Sequence, residues 1–580
     1  MIEESSNKVY QITTLQTPRH VMSDLTPLVI LLLLAFFIRG WVLVTAVVPA
    51  RDSIGFIRQA LAFEKQHFTD VVQAAHQHPG YPLGILITSW PIRYVHGTTD
   101  WWAMQLSAQL VSSVAGWLLV IPMFYIGKEL FSARIGFWSA LLFQCLPASG
   151  HVLSDAISDP LHMLFAAMSL FWGIRAVRHN SWRPFALAGG FAGLAYLVRP
   201  EGVAIAVATG AVLLGSQLVT QWRRPWRKVL VCGGTLAAAT LIVGSPYYLV
   251  TGTFTNKPSA QKLTKLAGIT EATNLKCVES RRSLHKRSQN DAFITHETKA
   301  GHSASRPHHS RGPLFAVHVR DWENQSSIRR MVSGLKAIIT EYIHATLYIL
   351  WLPTLLGLWF CRDRYCKIPG AWVCVILFVG QGFLVWRLAT VAGYVSDRHI
   401  LLLVLCSLQQ AVVVILMLGQ GLQNLVARTT VLPSRWRLAA TKWSVSMTPK
   451  VGGGILTVLM ILALVRTLRP LHEHREGHYA AGEWLRDHTD PSDKIHDDHC
   501  WAHYYAGRVL LEGKRPRPPK GHALRKYLVI SRKSKRRPPS TPRTFTEKKA
   551  QRLGGRVVFQ WPRNGPVSRA KVVVYELPRS

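Results

Sequence analysis

TPLVILLLLAFFIRGWVLVTAVVPARDSIGF, residues 26–56, joins an apolar run broken by one arginine, Arg39, to a proline and then to the charged pair Arg51 and Asp52. At 1.5 Å per residue, the run 26–48 is long enough to cross a bilayer core of about 30 Å. It exceeds the apolar core of a signal peptide and has no clean small-residue cleavage site after it, so it reads as a retained span. A carboxylate then stands immediately beyond the membrane exit.

Outward from this stretch the same pattern recurs. Apolar blocks at 103–126, 135–150, 159–174, 184–198, 203–220, 229–250, 338–360, 371–392, 400–422 and 451–468 bring the expectation to about eleven transmembrane helices. The chain of 580 residues is 49% hydrophobic and 17% charged, with the apolar residues gathered rather than spread. A net charge of +37 would suggest nucleic acid in a soluble protein. Here the excess sits in short loops and two long polar segments, so a nucleic-acid partner is excluded and membrane lipid is expected. Cys145, Cys232, Cys374 and Cys406 fall inside apolar blocks as small core residues, and the pair Cys361 and Cys366 has no second pair to complete a metal site.

Alternate short loops carry the cations: Lys128 and Arg134; Arg175, Arg178 and Arg183; Arg223, Arg224, Arg227 and Lys228; Arg362, Arg364 and Lys367; Arg428, Arg435, Arg437 and Lys442. Lys and Arg are retained on the cytoplasmic side during insertion. The N-terminus is therefore expected inside and the C-terminus outside. The resulting division is a cytoplasmic tail (1–25), a transmembrane unit (26–468) with long outer loops at 49–102 and 251–336, and a small extracytoplasmic α/β domain (469–580). Residues 276–311, rich in Ser, His and Arg, are expected to be disordered. In the last segment, YAAGEWLRDHT (479–489) reads as a helix, and 527–531, 557–560 and 571–575 read as strands.

With that topology the unusual polar residues fall on one side. ARDSIGF supplies Asp52, HQHPGYP supplies His76, His78 and Tyr81, HVLSDAISDP supplies His151, Asp155 and Asp159, LVRPEG supplies Arg199 and Glu201, and GYVSDRH supplies Tyr394, Asp397, Arg398 and His399. A carboxylate beside an attacking hydroxyl serves as general base, and cations neutralise a departing phosphate. Arg39, in the outer half of its span, needs a partner, and a lipid phosphate would be one. Each motif also has a plainer reading. Asp52 alone would be a solvated interfacial charge, HPGYP a turn with His78 as a buried structural residue, RPEG a tight turn with Arg199 and Glu201 paired, Asp397 and Arg398 a local pair, and Arg39 a snorkelling side chain. Their common side is what favours a site.

In this order and topology the motifs resemble the membrane glycosyltransferases of the GT-C fold, in particular bacterial relatives of the dolichyl-phosphate-mannose protein mannosyltransferases and of the aminoarabinose transferase that modifies lipid A. The matching elements are the Asp after the first span, the HPGYP element, the acidic SDAISDP loop, RPEG and the late DRH; AAGEWLRDH and YYAGR are similar to the family's outer C-terminal part. The family's first motif often has two adjacent acids where this chain has Asp52 and Ser53, and its HPPL is HPGY here. The resemblance implies an α-helical, polytopic GT-C-like enzyme that moves a hexose or pentose, with inversion, from a polyprenyl-phosphate donor to a lipid, glycan or protein acceptor outside the bacterial inner membrane. It implies Asp52 as base, Asp155 or Asp159 as its helpers, and His78, Tyr81, Arg199, Glu201, Arg398, His399 and Arg39 as donor or phosphate ligands. It requires no nucleotide at the site; a divalent metal ion, where a member uses one, would sit on Asp52, Asp155 and Asp159. The rival readings are a flippase or transporter for an anionic lipid, and a scaffold whose basic segments bind anionic polymers. A transporter site is usually placed near the midplane with repeat symmetry, and no repeat is visible here.

Overall fold

The opening apolar run becomes a helix, Leu25–Thr45, apolar around its whole circumference and ended by extended backbone at Ala46 ahead of Pro49. The computed structural model describes residues 24–179, 181–257, 316–318, 325–429, 450–497, 499–511, 524–532 and 547–578. The expected disorder at 276–311 lies outside the described residues. Six described helices are long and apolar enough to cross a membrane: Leu25–Thr45, Trp101–Leu130, Asp159–His179, Trp226–Thr251, Pro369–Ala392 and Asp397–Gln423. Shorter apolar helices cover Pro200–Gly215, Trp351–Phe360 and Val451–Thr467. The protein is integral to a membrane.

Trp182–Val198 packs between Asp159–His179 and Trp226–Thr251, and the long helix Asp397–Thr429 packs along Trp351–Phe360 and Lys450–Thr467. Their shared core runs from Leu31 and Ala35 through Phe124, Phe143, Leu170 and Phe185 to Leu401, Leu405 and Leu408. Leu230, Ile242 and Leu249 project outward from Trp226–Thr251, as expected of residues facing lipid tails.

The block 338–360 is not one span. It divides into an amphipathic helix, Ser327–Ala345, and the apolar Trp351–Phe360, with left-handed backbone at Leu347 and Tyr348 between them. The charges Arg329, Arg330 and Lys336 keep the first helix one-sided.

At the end of the bundle reached after Leu25–Thr45 lie the helices Arg51–Lys65, Phe68–Ala74 and Gly80–His96. Ile54, Phe56, Tyr81 and Ile85 from these helices join Met104, Ala156, Trp501, Tyr504 and Tyr505 in a second apolar cluster. Strand β1 (Ala316–His318) pairs antiparallel with β2 (Tyr394–Ser396), which leads directly into Asp397–Thr429.

The C-terminal region forms a four-stranded sheet of order β3-β4-β6-β5, from β3 (Lys494–Asp497), β4 (Lys526–Ser531), β5 (Arg556–Trp561) and β6 (Val572–Leu577). β3 and β4 are parallel and the other pairs antiparallel, with an irregularity in β5 between Val557 and Phe559. Helix Glu476–His488 lays Ala480, Ala481 and Leu485 on Val529, Phe559, Val572 and Val574. The sequence indicated three of these strands and the helix; β3, four residues long with charged ends, carried too little alternation to stand out.

Candidate active site

Asp52 is the second residue of its helix, where the unpaired N–H groups of the first turn favour a negative charge. Its side chain is 45% exposed, and Arg398 Nη1 lies 2.8 Å from its Oδ2 although the two are 346 residues apart. Partial desolvation opposes ionisation, but the Arg398 guanidinium, with Arg51, holds the Asp52 carboxyl below the usual carboxylate range. Arg398 stands near the start of Asp397–Thr429, a poor place for a cation unless an acid faces it. The local Asp397–Arg398 pair that sequence adjacency allowed is not formed: Arg398 turns to Asp52 and Asp397 turns to His344.

Asp155 is buried and fully engaged. Its Oδ1 accepts from the backbone N–H of Ala50 and of Ala156, both at 2.9 Å, and its Oδ2 lies 2.8 Å from His472 Nε2. Burial works against the charge, yet His472 and the two N–H donors hold this carboxyl below its ordinary value. Asp155 thus fixes the residue that leads into the Asp52 helix and ties it to the C-terminal region. Ser53 donates to Ala156 O at 2.5 Å and reinforces the same junction.

Asp159 opens Asp159–His179 and pairs with Arg199, whose Nε lies 3.4 Å from Glu201 Oε2. The RPEG turn exists because Gly202 backs onto the preceding helix: a Cβ there would sit 2.4 Å from Ala195 C and from Tyr196 N. Gly80 is similarly constrained, since a Cβ would meet Leu197 O at 2.8 Å, which accounts for glycine in HPGY. Lys257, which no motif marked, lies in the electrostatic field of Glu201, Arg199, Asp159 and Arg398. Burial pulls its ammonium down to about 8, with Glu201 working the other way. The only sequence signal for Lys257 is that it is the first cation after the helix Trp226–Thr251 ends.

The remaining expected ligands are placed otherwise. His78 is buried, stacks on Tyr247 at 4.1 Å, and lies 3.0 Å from Thr255 Oγ1 through Nε2. Burial, with Lys257 nearby, takes its imidazole down to about 3, so it is neutral near pH 7 and brings no positive charge to a phosphate. It supports the 251–257 segment that carries Lys257. Tyr81 donates to Ala108 O and lies 2.9 Å from Ser112 Oγ, with its ring against Phe56. His399 Nδ1 lies 3.1 Å from Ser396 Oγ and fixes the turn behind Arg398.

Arg39 does not await a lipid phosphate. It donates to Gly150 O at 2.6 Å, Ser154 Oγ at 3.0 Å and Gln144 O at 2.8 Å, and is buried. Nor do Asp52, Asp155 and Asp159 converge as a metal set, because they pair with three different residues, Arg398, His472 and Arg199. Among the described residues the metal-ligating atoms that converge are those of Glu341, His344 and Asp397.

The cluster that remains contains Asp52, Asp159 and Glu201 with Arg398, Arg199 and Lys257: three acids and three cations drawn from five separate segments. Asp52 is the half-exposed member beside a cation. The arrangement can take a proton at Asp52 and hold an anion on Arg398, Arg199 and Lys257.

Residues 87–249 match the family model described as dolichyl-phosphate-mannose-protein mannosyltransferase, a range that includes Asp155, Asp159, Arg199 and Glu201. The structure of ArnT from Cupriavidus metallidurans, bound to undecaprenyl phosphate, is similar with a TM-score of 0.52 at 13% identity, covering 95% of this chain and 97% of that one. The Archaeoglobus fulgidus oligosaccharyltransferase in its apo form gives a TM-score of 0.47 at 13% identity, over 88% of this chain and 69% of that one. No curated protein matches the sequence. The likeness to ArnT extends over nearly the whole of both chains, and the protein has the GT-C fold of membrane glycosyltransferases that its motifs resemble.

Proposed function

We propose that the protein is a membrane glycosyltransferase that moves a sugar from a polyprenyl-phosphate carrier to an acceptor on the extracytoplasmic face of the bacterial inner membrane. The observation that carries this reading is the half-exposed, ionised Asp52 carboxylate paired with Arg398 inside a cluster that also contains Arg199 and Lys257. Asp52 removes the proton from an acceptor hydroxyl. That oxygen attacks the anomeric carbon from the side opposite the phosphate, the bond from that carbon to the phosphate oxygen breaks, and polyprenyl phosphate leaves with inversion at the sugar. Arg398, Arg199 and Lys257 balance the charge on the departing phosphate. Asp155, through Ala50 N–H, keeps Asp52 in place.

Two further observations support the reading. The ArnT structure of similar fold holds undecaprenyl phosphate. The basic loops also gather at the end of the bundle away from Asp52: Lys128 pairs with Asp24, Arg178 with Glu129 at 2.8 Å, and Arg364 donates to Leu130 O at 2.6 Å. That end is the cytoplasmic one by the retention of Lys and Arg during insertion.

The test is transfer of label from a sugar-labelled polyprenyl phosphate to acceptors in membranes carrying wild type or Asp52→Asn. Loss of transfer by about 10²–10⁴-fold in the variant is expected for removal of a general base. Unchanged transfer removes Asp52 from the mechanism, and labelled lipid that crosses the bilayer with its sugar still attached makes the protein a transporter.

A further inference from the structure

Outside the Asp52 cluster, one set of side chains has no account in the transfer chemistry. Glu341 and His344 are three residues apart on Ser327–Ala345 and so share a face, the spacing by which helical Glu-x-x-His pairs grip metal ions. Asp397, at the start of Asp397–Thr429, faces them, and one ligand atom from each of the three lies within 4.8 Å of the others. Glu341 is 3% exposed and Asp397 partly buried. Among the described residues neither acid is paired with an arginine or lysine; His344 Nδ1, 3.5 Å from Asp397 Oδ1, is the cationic partner present. Asp397 Oδ1 is itself buried, with His344 Nδ1 as its neighbour.

Two carboxyl groups side by side away from water do not both stay charged unless a cation comes between them: burial, with Asp397 beside it, pushes the Glu341 carboxyl up to about 9, so Glu341 otherwise keeps its proton. A dication between them would take the place of that proton and offset both charges. We propose that Glu341, His344 and Asp397 form a binding site for a divalent transition-metal ion, which clamps the amphipathic helix Ser327–Ala345 to the start of the helix that bears Arg398. One imidazole with two carboxylates suits Zn²⁺ or Mn²⁺ better than Mg²⁺ or Ca²⁺, which prefer all-oxygen shells. His344 is about half exposed, so water can complete the coordination. The ion would be structural and separate from the transfer chemistry: Asp52 pairs with Arg398, whereas Asp397 turns to His344. The site does not depend on the glycosyltransferase reading.

The full chain, purified in detergent and stripped with a chelator, is titrated with Co²⁺ and followed by its visible absorption, then challenged with Zn²⁺. His344→Ala alters a half-exposed side chain and Glu341→Gln keeps its size, so both variants are chosen to keep the fold, which circular dichroism checks. Wild type is expected to bind one more equivalent than either variant, or to bind it at least about tenfold more tightly, and Zn²⁺ to displace the Co²⁺. The chelator is expected to lower the melting temperature of wild type and leave that of His344→Ala unchanged. Equal stoichiometry and affinity in wild type and variants, or a chelator effect shared by both, overturns the proposal.

Discussion

Lys257 lies where the donor phosphate is proposed to leave, and its ammonium titrates near pH 8. Below that value it carries the charge that the phosphate needs; above it the nitrogen is neutral. The kcat/KM for the lipid donor, which reports ionisations of the free enzyme, is therefore expected to fall as pH rises through about 8. Lys257→Arg is expected to shift that fall upward by more than one pH unit, because a guanidinium stays charged. A profile identical in both proteins would separate Lys257 from the donor. Arg39 belongs to a different class. Replacing it with Met leaves the carbonyls of Gly150 and Gln144 buried without their donor, each at about 1–3 kcal/mol. The expected result is a marked loss of thermal stability with donor KM unchanged in the folded fraction, measured by a melt and by kinetics below the transition. A raised KM at full stability would return Arg39 to the lipid site. The sequence could list both cations but could not tell them apart, since what distinguishes them is which backbone carbonyls lie within reach.

The helix Trp501–Tyr505 is the element that docks the C-terminal region over the site. Trp501 donates to Pro49 O at 3.0 Å, Arg475 lies 4.1 Å from its ring centroid, Tyr504 donates to Trp101 O, and Tyr505 to Gln105 Oε1. Trp501→Ala is expected to cost about 3–5 kcal/mol of docking and core packing. Limited proteolysis should then release a fragment containing the sheet, and transfer should drop because Pro49 is three residues from Asp52. An unchanged cleavage pattern would show that the sheet is held by other contacts. The YYAGR phrase drew attention to this element in the sequence, but its partners at Pro49 and Gln105 were illegible because they are some four hundred residues away. The misread span at 338–360 has another cause. Averaged apolarity cannot see that Ser327–Ala345 is apolar on one side, and the Glu341-x-x-His344 spacing was hidden inside that supposed span.

Across the whole molecule, long apolar runs were legible because a bilayer admits few alternatives to the helix. The alternation of basic loops also has a structural counterpart, with Asp24, Lys128, Glu129, Arg178 and Arg364 linking several loops to neighbouring helices at one end. The pairing of Asp52 with Arg398 was not legible, since spacing along the chain says nothing of which side chains meet after folding. The proposed reaction requires the acids and cations of the site to share one compartment and the basic loops to face the other. Labelling of intact cells with a membrane-impermeant maleimide tests this most directly, using a variant in which Cys277 and Cys500 are Ser, the exposed Cys366 is retained, and Lys65→Cys is added at the far end of the helix that carries Asp52. Reaction at position 65 in intact cells, with Cys366 reacting only after permeabilisation, is the expected result. Reaction of both in intact cells, or of Cys366 alone, would contradict it.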